Sequence, residues 1–215
     1  MSGMTDTIVV FLKSITDNAE LLTFLSALIP LIELKGAIPV GVSLGMSLPK
    51  AALFAYLGST AVVFPVFFLL IPVFSLLKKI PLVSRLVEKF EVMIARRAEK
   101  LAKKTDGNTE EVAKRILMFG LFIFVAVPLP VTGVWTGTAI AVFLKMKFRS
   151  SVLPLALGNL VAGGLITLLI AAVGEKNAAT VLNVVLILAI VMLIVTLIKV
   201  ILSKPEEKKS GGDGE

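Results

Sequence analysis

Two kinds of apolar run occur along the chain: some are charge-free and read as full-length helices, others read as broken by proline and glycine. Ala51 to Leu77, Val152 to Val173 and Ala178 to Ile198 are of the first kind, and at about 1.5 Å per residue each can cross a hydrocarbon core of roughly 30 Å. The pattern predicts full spans over 51–77, 152–173 and 178–200, the last two joined by the polar link Gly174-Glu175-Lys176-Asn177. Residues 21–48 are of the second kind, interrupted by Pro30, Glu33, Lys35, Gly36, Pro39, Gly41 and Gly45. So are residues 116–144, interrupted by Gly120, Pro128, Pro130, Gly133 and Gly137. Proline removes a backbone donor and clashes with the preceding turn, so each stretch is expected to be two half-helices around a bend. Broken backbone at membrane depth survives only inside protein or beside a wet cavity. Both stretches are therefore expected to be re-entrant hairpins that enter and leave on one side.

Between these blocks, residues 78–115 carry eleven Lys and Arg. Within them Leu82, Val83, Leu86, Val87, Phe90, Ile94, Ala98 and Leu101 recur at helical spacing, which predicts an amphipathic helix on the membrane surface. Pro81 suits its first turn, Thr105-Asp106-Gly107-Asn108 ends it, and Asn108 with Glu111 resembles a capping arrangement for the next helix. Residues 1–20 read as an N-terminal interfacial segment without the pattern of a secretory signal, and residues 204–215 as a polar, disordered tail.

Composition makes lipid the solvent. Of 215 residues 57% are hydrophobic and 17% charged, and the mean hydropathy is +0.97, which leaves too little polar surface for a water-facing globule. With no Cys and no His, disulfides, thiolate metal sites and the usual general base are excluded, so no metal, cofactor or enzyme chemistry is expected. The net charge of +7 matters through its placement. The positive-inside rule puts the 78–115 loop in the cytoplasm. With both hairpins re-entrant, eighteen basic residues fall on that side, including Lys145, Lys147, Arg149 and those of the C-terminus, against Lys13, Lys50 and Lys176 outside. This predicts a multi-pass protein of the cell (inner) membrane with loop and C-terminus cytoplasmic. Attraction to lipid headgroups accounts for the basic face, so the bilayer rather than nucleic acid is the expected partner.

Sliding the chain against itself by one hundred residues matches Pro30 with Pro130, Leu57-Gly58 with Leu157-Gly158, and several apolar positions. The span count makes this an inverted repeat of the kind that builds transporter halves. The expected fold is all-α and integral to the membrane: residues 21–77 and 116–173 each form a re-entrant hairpin plus a transmembrane helix. One extra C-terminal transmembrane helix and the cytoplasmic amphipathic helix complete it. The two bends would meet near the midplane, where a substrate would sit.

Chemistry-bearing residues concentrate in those bends. Glu33 and Lys35, between Pro30 and Pro39, are charges in an apolar stretch, each costing roughly 2.5–3.5 kcal/mol at a helix centre. They are read either as an ion pair that fixes the bend or as a proton- or cation-exchanging carboxylate with Lys35 tuning it. Gly36 lies beside them. The second bend offers Pro130, Thr132, Gly133, Trp135 and Thr136. Thr132 is expected to cap the returning half-helix, whose N-terminal amides favour an anion. Trp135 is read as packing anchor or pathway lining. Asn159, in an otherwise apolar span, is expected to hold a neighbouring helix by a hydrogen bond or to touch substrate. Small-residue faces such as Gly41 and Gly45 suit a homodimer contact.

The stretches Pro30-Leu-Ile-Glu33-Leu-Lys-Gly36-Ala37-Ile-Pro39-Val-Gly41 and Pro128-Leu-Pro130-Val-Thr132-Gly133-Val-Trp135-Thr-Gly137-Thr resemble those of the small multidrug export protein family of prokaryotic membrane proteins. That family is distantly similar to the DedA and SNARE-associated membrane proteins. The resemblance covers roughly residues 20 to 175. It implies a transporter of small molecules, and Glu33, read as a proton-exchanging carboxylate, would couple it to protons. The distant relatives imply a lipid or lipid-carrier flippase or scramblase instead, although the apolar Phe122-Ile-Phe-Val-Ala126 departs from their Arg-containing stretch. A structural or regulatory membrane subunit is the third reading.

Overall fold

A computed structural model describes residues 10–11, 14, 16–77, 79–105, 108–129 and 132–202. Pro130, most of the 1–20 segment and the 204–215 tail lie outside the described residues. Among the described residues the chain is helical and has no strand. The first broken stretch is α1 (Ala19–Ala27) and α2 (Glu33–Ser43). The run that follows comprises α3 (Leu48–Ala61) and α4 (Val63–Leu77), and the loop contains α5 (Pro81–Thr105). The second broken stretch is α6 (Thr109–Ala126) and α7 (Val134–Phe143), and two long helices close the chain, α8 (Phe148–Val173) and α9 (Ala178–Leu202).

Among the described residues three helical runs are long and apolar enough to cross a membrane: the 30 residues of Leu48–Leu77, the 26 of Phe148–Val173 and the 18 of Glu175–Met192. This is the architecture of a membrane protein. The first run differs from the single straight helix expected. It is interrupted at Val62, because Pro65 has no N–H for the carbonyl of Ala61 and its ring crowds that carbonyl.

Both Pro/Gly-rich stretches are broken. The first turns through residues 28–32, and the second is non-helical at 127–129 and 132–133. The second stretch begins earlier than the hydrophobic pattern places it, at Thr109, because Asn108 caps α6 by accepting a hydrogen bond from the Glu110 amide at 2.8 Å. Glu111 does not complete a capping box; it pairs with Arg115. The amphipathic helix α5 does not give its whole apolar stripe to the outside. It packs along α6, burying Val87, Ala98 and Ala102 while Val92, Met93 and Leu101 remain exposed. Lys145 joins the 144–147 turn to Glu91 of α5 at 2.6 Å.

The spacing of one hundred recurs in the backbone. After α2, Leu44 ends the helix, Gly45 takes φ +90°, and the Met46 amide bonds back to the Gly41 carbonyl at 3.1 Å. After α7, Leu144 ends the helix, Lys145 takes φ +55°, and the Met146 amide bonds back to the Ala141 carbonyl at 2.9 Å. Both are Schellman turns. The next helices start from extended N-caps at Ser47 and Lys147, with ψ 145° and 142°. In each half the first short helix packs on the long one (α1 on α3, α6 on α8) through a glycine. A Cβ on Gly58 would strike the carbonyl of Phe24, and one on Gly158 would lie 2.7 Å from that of Phe122. α9 covers α2, and α4 covers α7.

Candidate functional site

The two bends cross. Glu33 opens α2 with φ +48°, a left-handed conformation that costs a non-glycine residue roughly 1–2 kcal/mol. That backbone carries its carboxylate onto the start of α7. Glu33 Oε1 accepts from the Trp135 amide at 3.3 Å, so the anion sits where the dipole and unpaired amides of α7 favour one. Gly133 is the N-cap there. A Cβ on it would overlap the Glu33 carboxylate, so glycine is what lets the acid approach.

Lys35, two residues further along the same helix, answers the charge. Its Nζ lies 3.6 Å from Glu33 Oε2 and donates to the carbonyls of Leu129, at 2.6 Å, and of Thr132. Glu33 and Lys35 are 7% and 4% exposed. At that burial an unpaired charge is untenable, and removing one partner of such a pair costs about 3–5 kcal/mol. No buried side-chain nitrogen or oxygen among the described residues lacks a hydrogen-bond partner. The pair is thus fully held in this conformation.

The contacts are reciprocal. Lys35 donates to the bend before α7, and Trp135, one hundred residues on, donates from Nε1 to the Leu28 carbonyl in the bend before α2, at 3.1 Å. Glu33 meets Gly133. Deeper between α3 and α8, Ser59 Oγ faces Asn159 Oδ1 at 3.4 Å, and Asn159 Nδ2 donates to Thr60 Oγ1 at 3.0 Å. Ser59 and Asn159 are one hundred residues apart, as are Glu33 and Gly133.

The structure thus brings together Glu33, Lys35, Thr132, Gly133 and Trp135 and leaves other expected members apart. Thr132 does not cap α7: its hydroxyl donates to the Val127 and Leu129 carbonyls at 2.8 and 2.9 Å, and the capping acceptor is Glu33 from the other bend. Pro30 is exposed in its turn. Gly36 serves packing, since a Cβ there would lie 3.2 Å from Leu182 of α9. Pro39 is buried within α2, and Thr136 is half-buried in the first turn of α7. Asn159 makes the interhelical bonds given above. The carbonyls of Leu28 and Leu129 escape sequence reasoning, because every residue carries one and no side-chain pattern marks those that turn inward.

The described residues contain no cluster of three or more His, Cys, Asp or Glu suited to a metal. Two clefts lie away from the crossing. One of about 450 Å³ lies between the start of α6 and the 144–147 turn, beside Lys114, Lys145 and Lys147. Another of about 440 Å³ lies between α3 and α8, beside Tyr56 and Gly164.

The family described as "Putative small multi-drug export protein" matches residues 33–166, a segment that begins at the buried carboxylate and takes in the second bend whole. No curated protein and no solved structure matches the chain.

Proposed function

The chain belongs to the small multidrug export protein family, which matches more than half of its length, and from that premise we propose that it exports a small molecule across the cell membrane through the crossing of its two bends. In this reading both broken stretches are re-entrant, residues 21–77 and 116–173 form half-units of opposite orientation, and the 78–115 loop and C-terminus face the cytoplasm. The bonds that Lys35 and Trp135 each send into the other half, and the meeting of Ser59 with Asn159 one hundred residues on, support the twofold relation. The observation that carries the function is the buried Glu33–Lys35 pair spanning the two bends. Buried intramembrane charges mark ion and substrate pathways, and backbone strain concentrates where structure is held for function. Glu33 is proposed to take up and release a proton as the bends part, coupling export to the proton gradient.

Proteoliposomes test this. Substrate-dependent proton flux is expected with the natural chain and its loss with Glu33→Gln. Flux that persists in Glu33→Gln removes the carrier role from that carboxylate. Lipid redistribution without proton flux identifies a scramblase. The complete pairing of Glu33 and Lys35 favours one second reading, a purely structural latch, in which Glu33→Gln lowers the melting temperature and leaves flux unchanged.

A further inference from the structure

The crossing contains a cage whose shape specifies a ligand. Lys35 Nζ carries three hydrogens and faces three oxygens: the Leu129 carbonyl, the Thr132 carbonyl and Glu33 Oε2. Each of the three is positioned by contacts other than the lysine. Thr132 is tied to the end of α6 and to Leu129, its hydroxyl contacting the Val127 and Leu129 carbonyls and its amide the Leu129 carbonyl. The Glu33 carboxylate is held by the Trp135 amide against Gly133, where no side chain intervenes. The cage therefore belongs to the two bends, and the lysine reaches it on a flexible stem.

Two neutral carbonyls and one buried carboxylate complement a monovalent cation that can donate three hydrogen bonds. A primary ammonium meets that description. A quaternary ammonium supplies charge but no donor, so it forgoes the bonds that the Leu129 and Thr132 carbonyls accept from the lysine. We propose that this three-oxygen cage is a primary-ammonium site, that Lys35 is its tethered occupant, and that the exported substrates are small amphipathic primary amines that take the lysine's place. Only the last clause rests on the exporter reading above. The tether gives Lys35 an effective concentration of about millimolar or more, so free amines compete poorly until the lysine is removed or the substrate's apolar body adds contacts.

The test uses the full chain in nanodiscs, with Trp135, its one tryptophan, as the fluorescent reporter beside the cage. Lys35→Ala is titrated with methylammonium, tetramethylammonium and sodium at equal ionic strength. A saturable shift with methylammonium is expected, at concentrations on the order of tenfold or more below those the unaltered chain needs. Lys35→Met, which keeps the space filled, should not respond. Absence of a methylammonium response, or an equal response to tetramethylammonium or sodium, overturns the proposal. If Lys35→Ala does not fold, it is purified with and without methylammonium throughout: monodisperse protein only with the amine supports the cage, and equal loss in both overturns it. In proteoliposomes of the unaltered chain, efflux of a primary amine should exceed that of its N-trimethylated analogue, and equal efflux overturns the substrate assignment. Saturable binding to Lys35→Ala with no efflux of any solute removes the exporter reading and leaves the cage standing.

Discussion

Glu33 and Gly133 hold the same place in the two halves, and the space between them fits one side chain. Beside a twofold axis, equivalent positions compete for one volume. In the proposed twofold reading that competition accounts for the unlike chemistry of the bends: one contributes the acid and the other contributes room, amides and carbonyls. Gly133→Ala should therefore act on both stability and transport. Forcing a methyl group into the carboxylate is overpacking, for which about 1–3 kcal/mol is typical. Thermal unfolding in detergent should show the loss, and efflux should fall with it. A variant that melts and transports like the natural chain would show that the acid has somewhere else to go. Much of this site is legible in the sequence. Glu33 and Lys35 stand out as charges in an apolar run, and Gly133, Thr132 and Trp135 as breaks in another. Their partnership is not legible, because it runs through main-chain groups of Leu28, Leu129 and Trp135 that no side-chain pattern reports. Thr132 has a good capping side chain, yet the anion supplied from across the crossing outcompetes it for the start of α7.

The short helices show which glycines hold the elements in place. Gly45 lies in the turn between α2 and α3 and Gly58 within α3, and they answer different demands. Gly45 has φ +90° with open space around its Cβ direction, so Gly45→Ala meets only the cost of the left-handed conformation, about 1–2 kcal/mol. Lys145 already occupies the matching turn at φ +55°, which shows that a side chain is tolerated there. Gly58→Ala drives a methyl group into the Phe24 carbonyl, and backbone cannot swing aside as a side-chain end can. Its expected cost exceeds that of Gly45→Ala, with α1 displaced from α3; thermal melts of the two variants in parallel measure the order, and equal losses would contradict the contact. Proline and glycine make the half-helices readable at this scale. The cap at Asn108 is legible too, although it carries α6 into polar sequence; the break at Val62 is not, because Pro65 lies in a charge-free run long enough to be read as one helix.

At the scale of the whole molecule, the proposed reading relates the halves by an approximate twofold, supported by the reciprocal bonds of Lys35 and Trp135 and the meeting of Ser59 with Asn159. In a bilayer such an axis has two simple placements. Along the membrane normal it leaves the halves parallel; in the membrane plane it inverts them. The distribution of Lys and Arg favours inversion, since only re-entrant hairpins gather Lys145, Lys147 and Arg149 on the side of the 78–115 loop. Ser47 and Lys147 separate the two placements cleanly. Both are exposed N-caps with nearly the same backbone geometry, so a cysteine at either has a matched local environment, and the chain has no cysteine of its own. In intact cells a membrane-impermeant maleimide should label Ser47→Cys, and it should label Lys147→Cys only after the membrane is opened. Labelling of both from outside, or of neither, would put the axis along the normal. The bends would then be related without inversion, and alternating access by exchange of two opposed half-units would lose its structural basis, even with the Glu33–Lys35 pair intact.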